Sequence, residues 1–309
     1  MDAAVFGLIV ADLLAEPMDL RRPPNPGGLA VINSISLATG GNVCNTAIAM
    51  AKLGMSVAAA GLVGDDILGV ACVERMNKAG VDTSAVFVNN QSQTSASVVA
   101  VEPTGERVFF HVPGVTALID EDTFNRCIPV FAQCKWVQVG YFGLLPKLTP
   151  ALPKVLAALR KAAPNTKIAL ETVTPPASVD LLLPILPHLD MFAPSRSEAA
   201  VLSGENDPAK MVAFFRGQMP QGLICIKLDS EGCYLDDGNA AVTVPTYKVN
   251  VVDTTGAGDT WFGGLLTGSI RGMPLEQSAR LANRAAADCC TALGASAGVK
   301  SFEDTISRL

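Results

Sequence analysis

Histidine is nearly absent from this chain. Its 309 residues include only His111 and His188. So small a supply argues against His-based catalysis and against zinc held by imidazole. Charge is sparse too, at 17% of residues, and positive charge is not in excess: 23 basic against 29 acidic residues leave a net charge of −6. That balance excludes a basic surface for nucleic acid or for an anionic membrane. The eight cysteines include no C-x-x-C pair and no Cys/His cluster with zinc spacing. Most sit among apolar neighbours, which predicts buried free thiols and a reducing, cytoplasmic setting. No apolar run reaches the roughly 18 residues of a spanning helix. The apolar stretch Ala3–Ala11 mimics a signal-peptide core, yet Asp2 stands where positive charge belongs and Asp12 interrupts it. A buried first strand is the better reading.

Three catalytic signatures are missing or incomplete. No G-x-x-x-x-G-K-[ST] phosphate loop occurs. Gly256-Ala-Gly258 lacks the third glycine of a dinucleotide fingerprint, because Trp261 stands in its place. Gly294–Gly298 fits G-x-S-x-G, but a hydrolase of that kind needs a histidine downstream, and none follows His188.

What the chain does have is apolar residues, 49% of the total. It is long enough to bury a large core without staples. Length divided by about 150 gives a prior of two domains, and one large body with a small appendage fits equally well. Short apolar strands alternate with helical stretches. Strands are expected at Val5–Val10, Val57–Val63, Trp136–Val139, Lys167–Leu170, Met191–Ala193 and Leu223–Lys227. Helices are expected at Val43–Leu53 (with Asn42 as N-cap), Leu68–Lys78, Pro150–Ala162, Glu198–Leu202, Pro208–Gln218 and after Asp259. This alternation predicts a parallel sheet covered by helices on both faces. Two segments break the rhythm. Pro17–Leu37 is rich in Pro and Gly and has no helical period. Ser95–Val101 and Arg107–Val112 flank Glu102–Glu106 and read as an antiparallel hairpin. Both fit a small β appendage inserted into the α/β body.

Two motifs carry chemistry. In Val252–Thr260 (VDTTGAGDT) glycines precede an apolar helix, so backbone N–H groups and the helix N-terminus converge into an anion hole. Asp259 sits at the helix start. It reads either as a plain capping acid or as a base beside that hole, suited to attack of a hydroxyl on a phosphoryl group. In Gly40–Asn45 (GGNVCN) paired glycines and two amides suit a polyhydroxylated, uncharged ligand, or a turn with an N-cap. Asp12, placed at the end of the first strand, could accept bonds from sugar hydroxyls.

Together these segments resemble the ribokinase-like carbohydrate kinases, also called the phosphofructokinase-B family. Gly40–Gly69 looks like the family's N-terminal signature and Asp253–Leu266 like its C-terminal one, and the resemblance spans essentially the whole chain. It implies a three-layer α/β/α sandwich with a mainly parallel central sheet and a small β-sheet lid. The body would comprise residues 1–13, 36–84 and 116–309, and the lid 14–35 and 85–115. It implies ATP and Mg²⁺ as cofactors, an unphosphorylated sugar as acceptor, and a homodimer formed through the lid, with no nucleic-acid or membrane partner. Asp259 would be the base, with Gly256, Ala257 and Gly258 completing the anion hole. Asp12, Gly40, Gly41, Asn42 and Asn45 would hold the sugar, with Arg107 and His111 reaching it from the lid. Ile224–Gly232, including Lys227, Asp229 and Gly232, would lie over the nucleotide, with Asn283 near the adenine. Glu198 would organise Mg²⁺ through water. Asp253 and Thr255 stand where potassium-activated members bind the monovalent cation.

Some positions depart from the family pattern. Ser195 replaces the Asn of Asn-x-x-Glu. Lys227-Leu-Asp229 replaces Thr-x-Gly, so Asp229 must tolerate a turn and Lys227 could approach nucleotide phosphate. Glu171-Thr-Val173 replaces Asp-Pro-Asn. Gly140-Tyr141 lies where ribokinase proper has a Glu, and Asn42 replaces a Lys. These differences disfavour ribose. A phosphosugar kinase (using Arg21, Arg22 and Arg107), a nucleoside kinase (using Phe109 or Phe110) and a non-catalytic sugar- or nucleotide-binding regulator stay open.

Overall fold

A computed structural model describes every residue of the chain except Gly105 and Pro175. The strands β1 (Ala3–Gly7) and β4 (Val57–Gly64) are buried at every position, as expected of parallel strands covered on both faces. They lie inside a nine-stranded sheet. In chain order its other members are β5 (Asp82–Asn89), β8 (Trp136–Phe142), β9 (Lys167–Thr172), β10 (Met191–Phe192), β11 (Leu223–Lys227), β12 (Cys233–Asp236) and β13 (Ala241–Val244). The spatial order is β13-β12-β11-β10-β9-β8-β1-β4-β5, parallel from β11 to β5 and antiparallel at β11–β12–β13.

Alternation along β1 divides the core between the two faces. Ala4 and Phe6 join one cluster, and Ala3 and Val5 the other. On the first face Phe6 meets Phe124 edge-on, ring centroids 5.0 Å apart, and Phe131 at 6.0 Å. Such aromatic pairs add about 0.5–1.5 kcal/mol each beyond burial. On the second face the helices Gly41–Lys52 and Ala257–Ile270 pack together through Met50 and Gly263.

The second sheet holds β2 (Val10–Glu16), β3 (Ser34–Gly40), β6 (Ser95–Val101) and β7 (Arg107–Val112), in the order β3-β2-β6-β7. The β6–β7 hairpin pairs antiparallel over the expected residues. Its tip at Gly105 lies outside the described residues. The expected boundaries shift, however. The chain leaves the main sheet after Gly7 and enters the lid at Val10, so Asp12 lies in a lid strand and not at the end of the first one. Ser34–Gly40 pairs with β2 and belongs to the lid, whereas Asp82–Asn89 pairs with β4 as the edge of the main sheet. Hydrophobic alternation locates strands but does not say which sheet each one joins, because β5, at the edge of the main sheet, is only partly buried, as β3 of the lid is. Among the described residues no helix is long and apolar enough to cross a membrane, and all eight cysteines are free.

Candidate active site

The C-terminal ends of β8, β9 and β11 bring Tyr141, Glu171 and Lys227 to one edge of the sheet, where open α/β folds bind ligands. The two glycine-rich segments meet at that edge. Gly256 caps the helix Ala257–Ile270 in the left-handed region (φ 73°), and a Cβ there would lie 2.4 Å from that of Ala295. Glycine is therefore required at this turn. The first-turn N–H groups, those of Gly258 and Asp259 among them, have no intrahelical carbonyl to reach and are open to an anion. Ala257 N–H bonds the Thr254 carbonyl at 3.2 Å, which tightens the loop.

Asp259 is buried, at 4% exposure. Its Oδ2 accepts from Asn45 Nδ2 at 2.8 Å and from the Tyr141 hydroxyl at 2.9 Å. Its Oδ1 is buried with no partner among the described residues. Burial raises its pKa above the ordinary carboxylate value, while Asn45, Tyr141 and the Lys227 ammonium work against that rise. The carboxylate is thus clamped by one oxygen, and the other is left as an unused acceptor. Tyr141 holds its position with φ at 57°, a strained value for a residue with a side chain. Tyr141→Phe is expected to lower turnover about 10-fold by removing a charge-assisted bond. It is also expected to move the acid limb of the kcat/KM profile to higher pH, since the lost donor favours the ionised base. A pH–rate profile checks both.

Lys227 Nζ bonds Glu171 Oε1 at 2.6 Å, and it lies 3.6 Å from where a Cβ on Gly258 would sit. It therefore stands beside the first turn of the helix Ala257–Ile270. Glu171 Oε2 accepts from Gln138 Nε2 at 2.9 Å. Burial pushes the Glu171 carboxyl upward and Lys227 pulls it back. Glu198 is the N3 residue of a capping box with Ser195. Its Oε2 accepts from Thr172 Oγ1 (2.6 Å) and Ser195 N–H (2.8 Å), and its Oε1 from Thr174 Oγ1 (3.1 Å). Burial raises the Glu198 pKa, but Lys227 and these bonds outweigh it and leave the group below its ordinary value.

Several residues expected to touch ligand are hydrogen-bonded within the protein. Gly40, not Asn42, is the N-cap of the helix Gly41–Lys52. Asn42 is fully buried, taking the Leu8 N–H on Oδ1 (2.9 Å) and giving Nδ2 to the Phe6 carbonyl (3.1 Å). Its amide ties the end of β1 to the helix, because the chain leaving β1 needs partners for its backbone. Gly41, at φ 79°, passes close to the Leu8 carbonyl. Asn45 holds Asp259. Asn283 takes the Trp261 Nε1–H (2.8 Å) and donates to the Val244 and Pro245 carbonyls (3.0 and 3.1 Å), so its amide staples three elements. Asp229, at φ 54°, and Gly232 form the turn between β11 and β12.

Asp12 pairs with Ser97 and Ser97 with His111 across β2, β6 and β7, which puts all three on one lid face. Ser97 Oγ lies 3.1 Å from His111 Nδ1. Burial raises the Asp12 pKa, with Ser97 and His111 opposing it. Asp12 Oδ2 lies against Gly40, 2.1 Å from where a Cβ would be. Arg107 shares the His111 face by alternation, and it bonds Asp253 Oδ1 and Thr255 Oγ1, the latter at 2.5 Å. Ser97, Thr172 and Thr174 escape a sequence reading. Glu171 and Tyr141 are legible there only as departures from the family pattern. A separate cavity of about 610 Å³ opens at the other end of the sheet, by Trp136, Lys167 and Leu223, and its Arg160 is spent on Asp190 and the His188 carbonyl.

The family model described as pfkB family carbohydrate kinase matches residues 2–301. An uncharacterized sugar kinase of Archaeoglobus fulgidus is 29% identical over 252 residues, 81% of this chain and 97% of that protein. A ribokinase of Arabidopsis thaliana, solved with ribose and ATP, superposes with TM-score 0.82 at 22% identity, covering 99% of this chain and 96% of that one. A putative ribokinase II of E. coli, solved with ATP and Mg²⁺, gives TM-score 0.82 at 19% identity, covering 99% and 98%.

Proposed function

Since the chain belongs to the pfkB family of carbohydrate kinases, we propose that it transfers the γ-phosphoryl group of ATP to a hydroxyl of a small unphosphorylated sugar, with Asp259 as base. The observation that carries this reading is the orphaned Asp259 Oδ1, a buried acceptor beside a helix N-terminus. An acceptor hydroxyl donating to Oδ1 would give up its proton there as its oxygen attacks phosphorus, and the N–H groups at Gly258 and Asp259 would receive the charge on the transferred oxygens. Lys227 would add a cation at the same place. ATP and Mg²⁺ are bound by the ribokinase-like proteins solved with them, and this chain's donors suit both. Glu198 is anionic, and its Oε1 carries one protein bond, which leaves an acceptor position for a water of a hydrated Mg²⁺. When bound, the metal neutralises charge on the phosphates.

Asp12, Ser97 and His111 would receive the sugar from the lid, with Gly40 and Gly41 passing beneath it. Two of the three basic residues that a phosphosugar would draw on are engaged, Arg21 with Glu102 and Arg107 with Asp253, and Arg22 is exposed. A nucleoside is the second reading, because Phe109 is exposed on the face that carries His111. An ADP-release screen with ATP and Mg²⁺ over pentoses, hexoses, sugar acids, phosphosugars and nucleosides separates these acceptors. Binding of sugar and ATP with no ADP release from any of them would favour a regulator.

The opposite lid face carries Leu37, Leu13, Val98 and Phe110 in register across all four strands, and Leu37, Val98 and Phe110 are exposed. A second copy covering this row would form the homodimer. Phe110→Asp is expected to give a monomer by sedimentation, with the wild type a dimer. The free thiols fit a reducing cytoplasm.

A further inference from the structure

We propose that the Arg107 guanidinium is the resident cation of the anion-hole loop and stands in place of a monovalent metal ion. Asp253 and Thr255 are the residues that the family resemblance assigns to potassium, and in this chain both are turned onto Arg107. The bonds account for the whole Asp253 carboxylate. Oδ1 takes Arg107 Nη1 and the Thr255 N–H (2.8 Å), and Oδ2 takes the Gly294 N–H (2.7 Å). The Asp253 side chain is 1% exposed and that of Arg107 15%, so the guanidinium is inserted into the loop rather than laid on the surface. Its Nε is buried as well. A metal ion at Asp253 and Thr255 would meet a like charge within bonding distance of both ligands, so the donor set does not fit one. A guanidinium also cannot lose its proton under working conditions, which makes the charge permanent.

The origin of the charge matters as much as its sign. Arg107 begins β7 of the lid, whereas Asp253 and Thr255 lead into the helix that starts at Ala257. A potassium ion would come from solvent whatever the lid does. Arg107 arrives with the lid, so loop neutralisation and closure over the sugar are one event. Each favours the other by the same free energy.

Thermal unfolding in KCl and in tetramethylammonium chloride of equal ionic strength tests the proposal. The wild type is expected to melt at the same temperature in both. Arg107→Met empties the place of the guanidinium, and K⁺ is expected to raise its Tm by about 2–4 °C relative to tetramethylammonium, with saturation. Activity should follow: the wild type is indifferent to the swap, and the variant loses about 10-fold in tetramethylammonium and recovers part of it in K⁺. A saturable potassium response in the wild type, or an Arg107→Met protein indifferent to K⁺, overturns the proposal. Should Arg107→Met fail to fold, the wild-type comparison alone decides, indifference supporting the proposal and a potassium response overturning it. The activity arm rests on the kinase reading, but the unfolding arm needs no acceptor, so failure to find a substrate leaves it decisive.

Discussion

Asp259→Asn is expected to lower turnover by about 10³–10⁴-fold while ATP and sugar still bind. Both local donors, Asn45 Nδ2 and the Tyr141 hydroxyl, point at Oδ2. An asparagine must therefore place its carbonyl oxygen there and its NH₂ at the Oδ1 position. The atom that should accept the substrate proton then becomes a donor, with little change in shape. Stability should move the other way. Burial raises the Asp259 pKa, so the ionised carboxylate costs the fold free energy above the ordinary carboxylate range. A neutral isostere removes that cost, and Tm at pH 8 is expected to rise. Loss of activity together with a fall in Tm would point to a structural role instead. Steady-state kinetics, calorimetric binding and thermal unfolding on one preparation separate the two.

Lys227→Met is expected to cost about 3–5 kcal/mol of stability at pH 8, because it leaves Glu171 buried without its cation. Glu171 is 2% exposed, and Gln138 is its other side-chain partner. The sign with pH follows from the direction of the shift. Burial holds the folded pKa of Glu171 above its unfolded value and Lys227 lowers it, so removing Lys227 raises it further. A carboxyl with a raised folded pKa contributes stability below the unfolded pKa and loses it as pH rises through the folded one. The deficit of the variant is therefore small near pH 5 and grows toward pH 8. Denaturant melts at the two pH values check this, and a deficit that shrinks with pH contradicts it. Turnover is expected to fall about 10²–10³-fold as well, the loss of one charged donor beside the transferred group. Lys227 was legible in the sequence as a departure from the family pattern. That its partner is Glu171 was not, because β9 and β11 are neighbours only through β10, and that order is set by the whole sheet.

The same distinction runs through the site. The glycine-rich loop is local: glycines, a helix start and Asp259 lie within one short stretch, and the structure keeps them together. The α/β rhythm is also local, and the strand at Leu223–Lys227 and the β6–β7 hairpin lie where expected. Asn42, Asn45 and Asn283 show the limit. An amide in a ligand-binding motif and an amide that satisfies buried backbone look the same in sequence, since both need two-way hydrogen bonding. Asn42 closes the end of β1, Asn283 ties a helix to the loop after β13, and Asn45 holds Asp259. Arg107 on Asp253 is the extreme case, a contact between a lid strand and a loop far away in the chain that no periodicity foretells.

Phosphoryl transfer itself is tested most directly by following the product. The protein is incubated with ATP, Mg²⁺ and each candidate acceptor, and the mixture is read by mass spectrometry and phosphorus NMR. At least one sugar should gain a single phosphoryl group on a hydroxyl, mole for mole with ADP. ADP and inorganic phosphate formed regardless of acceptor, or acceptor and ATP both bound with neither converted, would contradict the account.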